Sequence, residues 1–220
     1  VDYTTIFNTI KSYTENDFPE TTETGGQTSA EQINTFIRQA EQRIFNSVQL
    51  LALRKNVVGT CSESNKYLAV PSDWLANFSL ASIDPTTGEY QYLLNKDVNY
   101  IREAFPGPSD TGRPTHYAMF DSASYILGPT PDQDYQIELH YFYYPPSIVD
   151  ASTSWLGNNF DSVLLYGALL EAYTFMKGEA DIIAGYQKRY DEALMLLKQL
   201  GEGKDRQDMY RTQQVRYPVR

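Results

Sequence analysis

The chain has 220 residues, enough for one large domain or two small ones, and enough to bury a core without a disulfide or metal staple. Its single cysteine, Cys61, excludes an internal disulfide and a cysteine-based metal site, and it has only two histidines, His116 and His140. Lys and Arg total 18 against 28 Asp and Glu, a net charge of -10. This argues against an extended nucleic-acid-binding surface, while a wall that surrounds DNA without gripping it stays compatible.

No apolar run approaches the ~18–20 residues a membrane span needs, so no membrane association is expected. The first residues, Val1-Asp2-Tyr3, do not read as a signal peptide. Tyrosine is the unusual component: 18 Tyr, with 10 Phe and 2 Trp. Its apolar ring and polar tip suit half-buried sheets and protein contacts. Composition favours a Tyr-rich β-layer over an interface protein.

Tyr3, Ile6, Phe7 and Ile10 fall at helical spacing and predict a short first helix, broken at Phe18-Pro19-Glu20. Thr28 and Ser29 offer two overlapping capping boxes with Glu31 and Gln32. The stripe Ile33, Phe36, Ile37, Ala40, Ile44, Phe45 and Val48 predicts a second helix reaching about Leu50–Leu53. Gln39, Glu41, Gln42, Arg43 and Asn46 fall on its opposite, polar face.

From Arg54 the pattern changes to short β-like runs: 56–61, 66–70, 78–83 and 89–94. The turn Asp84-Pro85-Thr86-Thr87-Gly88-Glu89 makes 78–94 a hairpin. A helical turn is expected at 97–104, then a Pro/Gly-dense loop, then strands at 115–120 and 124–127. The best strand is 135–144, where Tyr135, Ile137, Leu139, Tyr141 and Tyr143 alternate with polar or outward residues before Pro145-Pro146.

Two long helices follow. Asn158 or Asn159 is the expected cap of the first, whose segment 163–170 is apolar nearly all round; Gly167 and Ala168 permit close approach of a neighbour. The second spans about Glu179 to Leu200, with Ile182, Ile183, Tyr186, Tyr190, Ala193, Leu194 and Leu197 as its stripe and Gly201 as its stop. Residues 203–220 carry five cations against two carboxylates, a net of +3 on a chain whose other residues sum to -13. This basic-aromatic segment has too little apolar mass to fold alone. It reads as an unfolded end or as an arm that orders on a partner.

The fold class expected is α+β. A helical bundle is built from 1–53 and 154–202, an antiparallel β-domain of roughly six strands is inserted at 54–153, and 203–220 is an extended C-terminal arm. Nucleophile elbows, phosphate loops, dinucleotide fingerprints and zinc-protease motifs are missing from the sequence. His116 and His140 read as hydrogen-bonding residues and Cys61 as a buried inert thiol. Glu138 is the candidate acid if a glycosidase-like carboxylate pair exists, though its strand position reads as solvent-facing. Asn77-Phe78-Ser79 is a weak glycosylation triplet. Trp74 and Trp155 stand at element junctions and are interface candidates, with a hydrophobic anchor at a domain seam as the favoured reading. No enzyme activity, catalytic residue, cofactor or metal is expected.

Four segments occur in a telling order. They are Tyr125-Ile126-Leu127-Gly128-Pro129-Thr130-Pro131, then the strand Tyr135 to Pro145, then Leu164-Leu165-Tyr166-Gly167-Ala168-Leu169-Leu170-Glu171-Ala172, then Tyr186-Gln187-Lys188-Arg189-Tyr190-Asp191-Glu192-Ala193-Leu194. In order and spacing they resemble the head-to-tail adaptor (connector) proteins of tailed bacteriophages, the group that includes the tail tubular protein A type of short-tailed phages. The resemblance covers about 115–200 by motif and the whole chain by element order.

It implies a non-enzymatic structural virion protein. Such adaptors self-associate into a ring, typically of twelve copies, beneath the dodecameric portal, with the tail nozzle or another tail protein on the other side. DNA passes through the channel without specific binding. The expected location is the virion neck, after assembly in the host cytoplasm. The resemblance also implies that the bundle builds the ring and the arm reaches the portal. That makes Arg206, Met209, Tyr210, Arg211, Arg216, Tyr217 and Arg220 the portal-binding candidates. The competing readings are another neck or tail-completion protein, and a polysaccharide-binding or polysaccharide-active protein using the aromatic β-domain.

Overall fold

The structure is a computed structural model that describes residues 1–20 and 26–205, with the backbone alone for 202–205. In chain order the first half holds α1 (Tyr3–Thr14), α2 (Ser29–Ser47), β1 (Arg54–Cys61), β2 (Tyr67–Ala69), β3 (Ala76–Ile83), β4 (Tyr90–Tyr92), β5 (Leu94–Asn95) and α3 (Val98–Ala104). The second half holds β6 (His116–Met119), β7 (Ser124–Gly128), β8 (Tyr135–Phe142), α4 (Ile148–Ala151), α5 (Trp155–Asn159), α6 (Asp161–Phe175) and α7 (Ala180–Asp205). Contacts divide the described residues into two units: those of Val1–Leu53 with those from Tyr144 onward, and Arg54–Tyr143.

In the helical unit, α6 is the central element, packed against α1, α2, α5 and α7. Its sequence explains this: Val163, Leu164, Gly167, Ala168, Leu169, Leu170 and Ala172 are all buried, which spreads the apolar contact around most of the helix. Gly167 sits where three helices meet. A Cβ there would lie 3.1 Å from Ala40 Cβ on α2 and 3.2 Å from Tyr190 Cε2 on α7. Helix α2 begins with a capping box: Thr28 Oγ1 accepts from Glu31 N, and the Glu31 carboxylate accepts from Thr28 N at 2.8 Å. The Thr28 N–H and then the Thr28 hydroxyl, both donating to the Glu31 carboxylate, hold that carboxyl below its usual range.

Several expectations for this unit are corrected. Helix α2 stops at Ser47, and Leu51–Leu53 is a separate 3-10 turn. Helix α6 has no side-chain cap; Phe160 precedes it, and Asn158 and Asn159 belong to the short α5, which Ser154 caps. Helix α7 does not stop at Gly201 but continues to Asp205. Glycine is required there by packing, because a Cβ at 201 would come within 2.5 Å of the Gln49 carbonyl oxygen. The expected β-domain runs to 153, whereas contacts place Tyr144–Thr153 with the helices, where α4 packs against α2. Glu41, placed on the polar face of α2, is 3% exposed and accepts from Ile148 N at 2.9 Å.

Tyr190 and Leu197 are the buried residues of the α7 stripe, while Ile182 is exposed. The Tyr190 hydroxyl is buried with no hydrogen-bond partner among the described residues, and burial pushes its pKa up. Tyr190→Phe keeps the ring and removes an unsatisfied polar atom. It is expected to stabilise the protein by about 1 kcal/mol, read as a higher urea midpoint at unchanged slope.

The β-unit has eight strands in two four-stranded sheets, ordered β1-β8-β3-β4 and β2-β7-β6-β5. All pairs are antiparallel except β5 with β6, which is parallel over Leu94↔His116 and Asn95↔Tyr117. Strand β8 shows the alternation the sequence predicts: Tyr135, Ile137, Leu139 and Tyr141 are buried in the core that also takes Tyr117, Tyr125 and Leu127 from the second sheet. On the other face of that second sheet, Ala118 and Ile126 pack with Ile101, Val98 and Phe105, so α3 forms a third layer.

The core tyrosines keep their hydroxyls paired, as buried polar groups require. Tyr141 Oη donates to Asp73 at 2.8 Å, and Lys55 Nζ lies 2.7 Å from the other Asp73 oxygen. The Lys55 ammonium, followed by the Tyr141 hydroxyl, holds the Asp73 carboxyl below its usual range. Tyr135 Oη donates to Asp132 at 2.8 Å.

Candidate functional site

The inner faces of the two sheets meet in this core and α3 packs on the outside of the second sheet, while the first sheet presents an outer face of its own, that of β1-β8-β3-β4. Register and alternation bring Asn56 and Val58 of β1, Glu138, His140 and Phe142 of β8, and Tyr90 and Tyr92 of β4 to it. Phe78, Tyr90 and Tyr92 are more than half exposed. The Arg54 guanidinium lies 4.4 Å from the Phe78 ring centroid and 5.5 Å from that of Phe142, a doubled cation–π contact. Exposed aromatics with an Arg among them have the composition of a protein contact surface.

Glu138 lies on this face. One of its oxygens accepts from the Asn56 side-chain amide, and His140 Nε2 is 3.5 Å from the same oxygen. The carboxylate is thus held by two neighbouring polar groups in a strand-surface network. His116 lies on β6, where its Nδ1 is 2.8 Å from Thr115 Oγ1 and its ring contacts Tyr100 and Phe105. Cys61 is buried, and desolvation pushes its thiol up, away from a reactive thiolate. Among the described residues no group of three His, Cys, Asp or Glu could hold a metal ion.

The two tryptophans are half-buried and lie in different units. Trp74 Nε1 donates to Asn77 Oδ1 at 2.7 Å, and its ring meets Tyr125 edge-on. Asn77 Oδ1 also accepts from Tyr125 Oη, and burial holds the Tyr125 hydroxyl well above the usual range. Asn77 is therefore a junction of the core, which removes the appeal of the glycosylation triplet. Trp155 stacks on Phe160 with ring centroids 5.8 Å apart. The arm candidates Arg206, Met209, Tyr210, Arg211, Arg216, Tyr217 and Arg220 lie outside the described residues.

The sequence reading missed the exposed aromatic face. Part of the signal was present, since Tyr90 and Tyr92 are two residues apart beside a turn; Phe78 gave none, because alternation alone puts it on the same face as the buried Leu80. Residue 78 sits at the register shift between Asn77 and Ser79, and this bulge turns it outward.

A family model described as SU10 adaptor protein matches residues 1–217, spanning both units. The chain belongs to this family of phage head-to-tail adaptors. A comparison with curated proteins gave no match. Membership makes the chain a structural phage adaptor, in line with the resemblance carried by the motifs of 115–200; the finer likeness to the tail tubular protein A type rests on those motifs alone. No helix among the described residues of this adaptor is long and apolar enough to cross a membrane.

Proposed function

We propose that this adaptor forms a ring, of twelve copies, between the capsid portal and the tail in the virion neck, assembled in the host cytoplasm. The observation that carries the reading is the family match across residues 1–217, which includes both units and most of the basic C-terminal segment. In this reading the helical unit builds the ring, and residues 206–220 reach the portal. The β-unit offers its aromatic outer face, with Phe78, Tyr90 and Tyr92, to the tail nozzle or another tail protein. Trp74 and Trp155 act as packing anchors within their own units. The net charge of -10 suits a channel wall that repels the DNA backbone and lets it slide.

Sedimentation velocity against the portal ring of the same virus tests the reading. The full-length chain is expected to co-sediment in about twelve copies per ring, the copy number that the resemblance implies. A chain ending at Asp205 is expected to lose that binding. Equal binding by both would remove the arm from the portal contact. Binding by neither would remove the adaptor ring itself.

A further inference from the structure

Strand β1 is the longest free edge of the β-unit. It is eight residues long and hydrogen bonds on one side only, to β8, in unbroken register from Arg54↔Phe142 to Cys61↔Tyr135. Edges of this length are normally guarded by a lysine, a proline or a bulge. The strand's one lysine, Lys55, stands near its start and is tied to Asp73 at 2.7 Å; from Asn56 to Thr60 the strand reads Asn-Val-Val-Gly-Thr, exposed throughout and without a guard.

Beside this edge the sandwich is open. An apolar groove of about 250 Å³ runs between β1 and β2, the first strands of their two sheets. Val57, Gly59, Leu68 and Val70 line its sides, and Ile137 and Leu139 its floor. A Cβ on Gly59 would meet nothing within 4 Å. One further strand alongside β1 would complete the ladder and seat its inward side chains in the groove.

We propose that residues 212–219 of a neighbouring copy supply that strand. The segment Thr212-Gln213-Gln214-Val215-Arg216-Tyr217-Pro218-Val219 matches β1 in length, and Val215, Tyr217 and Val219 recur at the period of two that an inward face requires. Arg216 falls on the opposite face. Charge fixes the direction. The β-unit carries six cations and eleven carboxylates, a net of -5. Three of those carboxylates, Glu63, Asp132 and Asp134, are exposed around the Cys61 end of β1, where Asp134 accepts from Glu63 N. An antiparallel strand enters at that end, with Arg211 just ahead of it.

The inference rests on the ring reading. A strand leaving one copy and an edge receiving it on the next make the heterologous contact that closes a ring. Arg206, Met209, Tyr210 and Arg211 precede the donated segment and are left for the portal, so this inference narrows the portal contact proposed above to them and takes Tyr217 out of it.

The test uses a fluorescein-labelled synthetic peptide of residues 208–220, titrated by anisotropy with dilute full-length protein. Binding is expected, and at least tenfold weaker binding to V57K, which points a charge into the groove while a thermal melt confirms its fold. Should V57K not fold, L68K replaces it from the other side of the groove. In parallel, full-length V58C and full-length R216C are mixed and oxidised; a disulfide-linked pair of the two is expected. Equal peptide affinity for V57K overturns the proposal, as does the lack of both peptide binding and the mixed disulfide. If V57K still joins the portal in about twelve copies after such a failure, the ring stands and only the strand donation falls, since a ring is held by many contacts at once.

Discussion

Glu41→Ala is expected to cost about 2–4 kcal/mol of stability, the scale for removing a buried acceptor and leaving a small cavity. The carboxylate is 3% exposed on α2 and accepts from the backbone N–H of Ile148, the first residue of α4. The Ser147 hydroxyl adds a second hydrogen bond. Truncation strands both donors. Glu41→Gln separates the hydrogen bond from the charge, because the amide oxygen can still accept. Burial, foremost, raises the Glu41 pKa, with Asp150 adding to the rise and Arg38 opposing it.

The folded protein therefore holds this proton more tightly than the unfolded chain. Glu41 contributes that stability fully below its unfolded pKa and loses it as pH rises through the folded pKa. Glu41→Gln should consequently be more stable than wild type at pH 7, with the gap closing as pH falls into the carboxylate range. Thermal melts of the pair at several pH values measure the gap. A gap that widens on acidification would mean the ionised carboxylate stabilises the fold.

Gly167→Val is expected to cost about 3 kcal/mol, at the upper end for overpacking a core. The ideal Cβ position is already 3.1 Å from Ala40 and 3.2 Å from the Tyr190 ring, and valine adds two methyl groups to that junction of α2, α6 and α7. Gly167→Ala needs only a few tenths of an ångström from its neighbours and should lose less. Gly185→Ala is the internal control. It lies in α7 with nothing within 4 Å of its Cβ, so helix propensity alone should stabilise it by about 0.5–1 kcal/mol. Urea midpoints for the three variants check the order; a Gly167→Val protein as stable as wild type would refute close approach as the reason for glycine.

Much of this architecture is legible from spacing. The capping box at Thr28 and Glu31 forms, the alternation of 135–143 places the right residues in the core, and the fully apolar 163–170 is the central helix. What the spacing misreads depends on distant partners. Glu41 looks polar-faced on a helical wheel because the donor that lets it be buried is 107 residues away. Gly201 looks like a helix stop because nothing local reveals the Gln49 carbonyl against which it packs. Strand β5 is two residues long, too short for any period to register. At the surface, the tyrosine excess divides in a way composition cannot express. Tyr125, Tyr135 and Tyr141 are core residues with paired hydroxyls, while Tyr90 and Tyr92 stand on an open face.

The continuation of α7 to Asp205 bounds how far from the helix the rest of the sequence can reach. Four residues that would span roughly 14 Å extended rise only about 6 Å as helix, so the reach is shortened by the difference. Arg220, fifteen residues beyond, can lie no farther than about 50 Å from Asp205. In a ring of adaptors, residues 206–220 of every copy would fall within that same radius of an equivalent origin. A target of that segment would then experience an effective concentration on the order of millimolar. A contact too weak to isolate between single molecules could hold firmly in that setting, and the loss of one tail would matter far less than the loss of all.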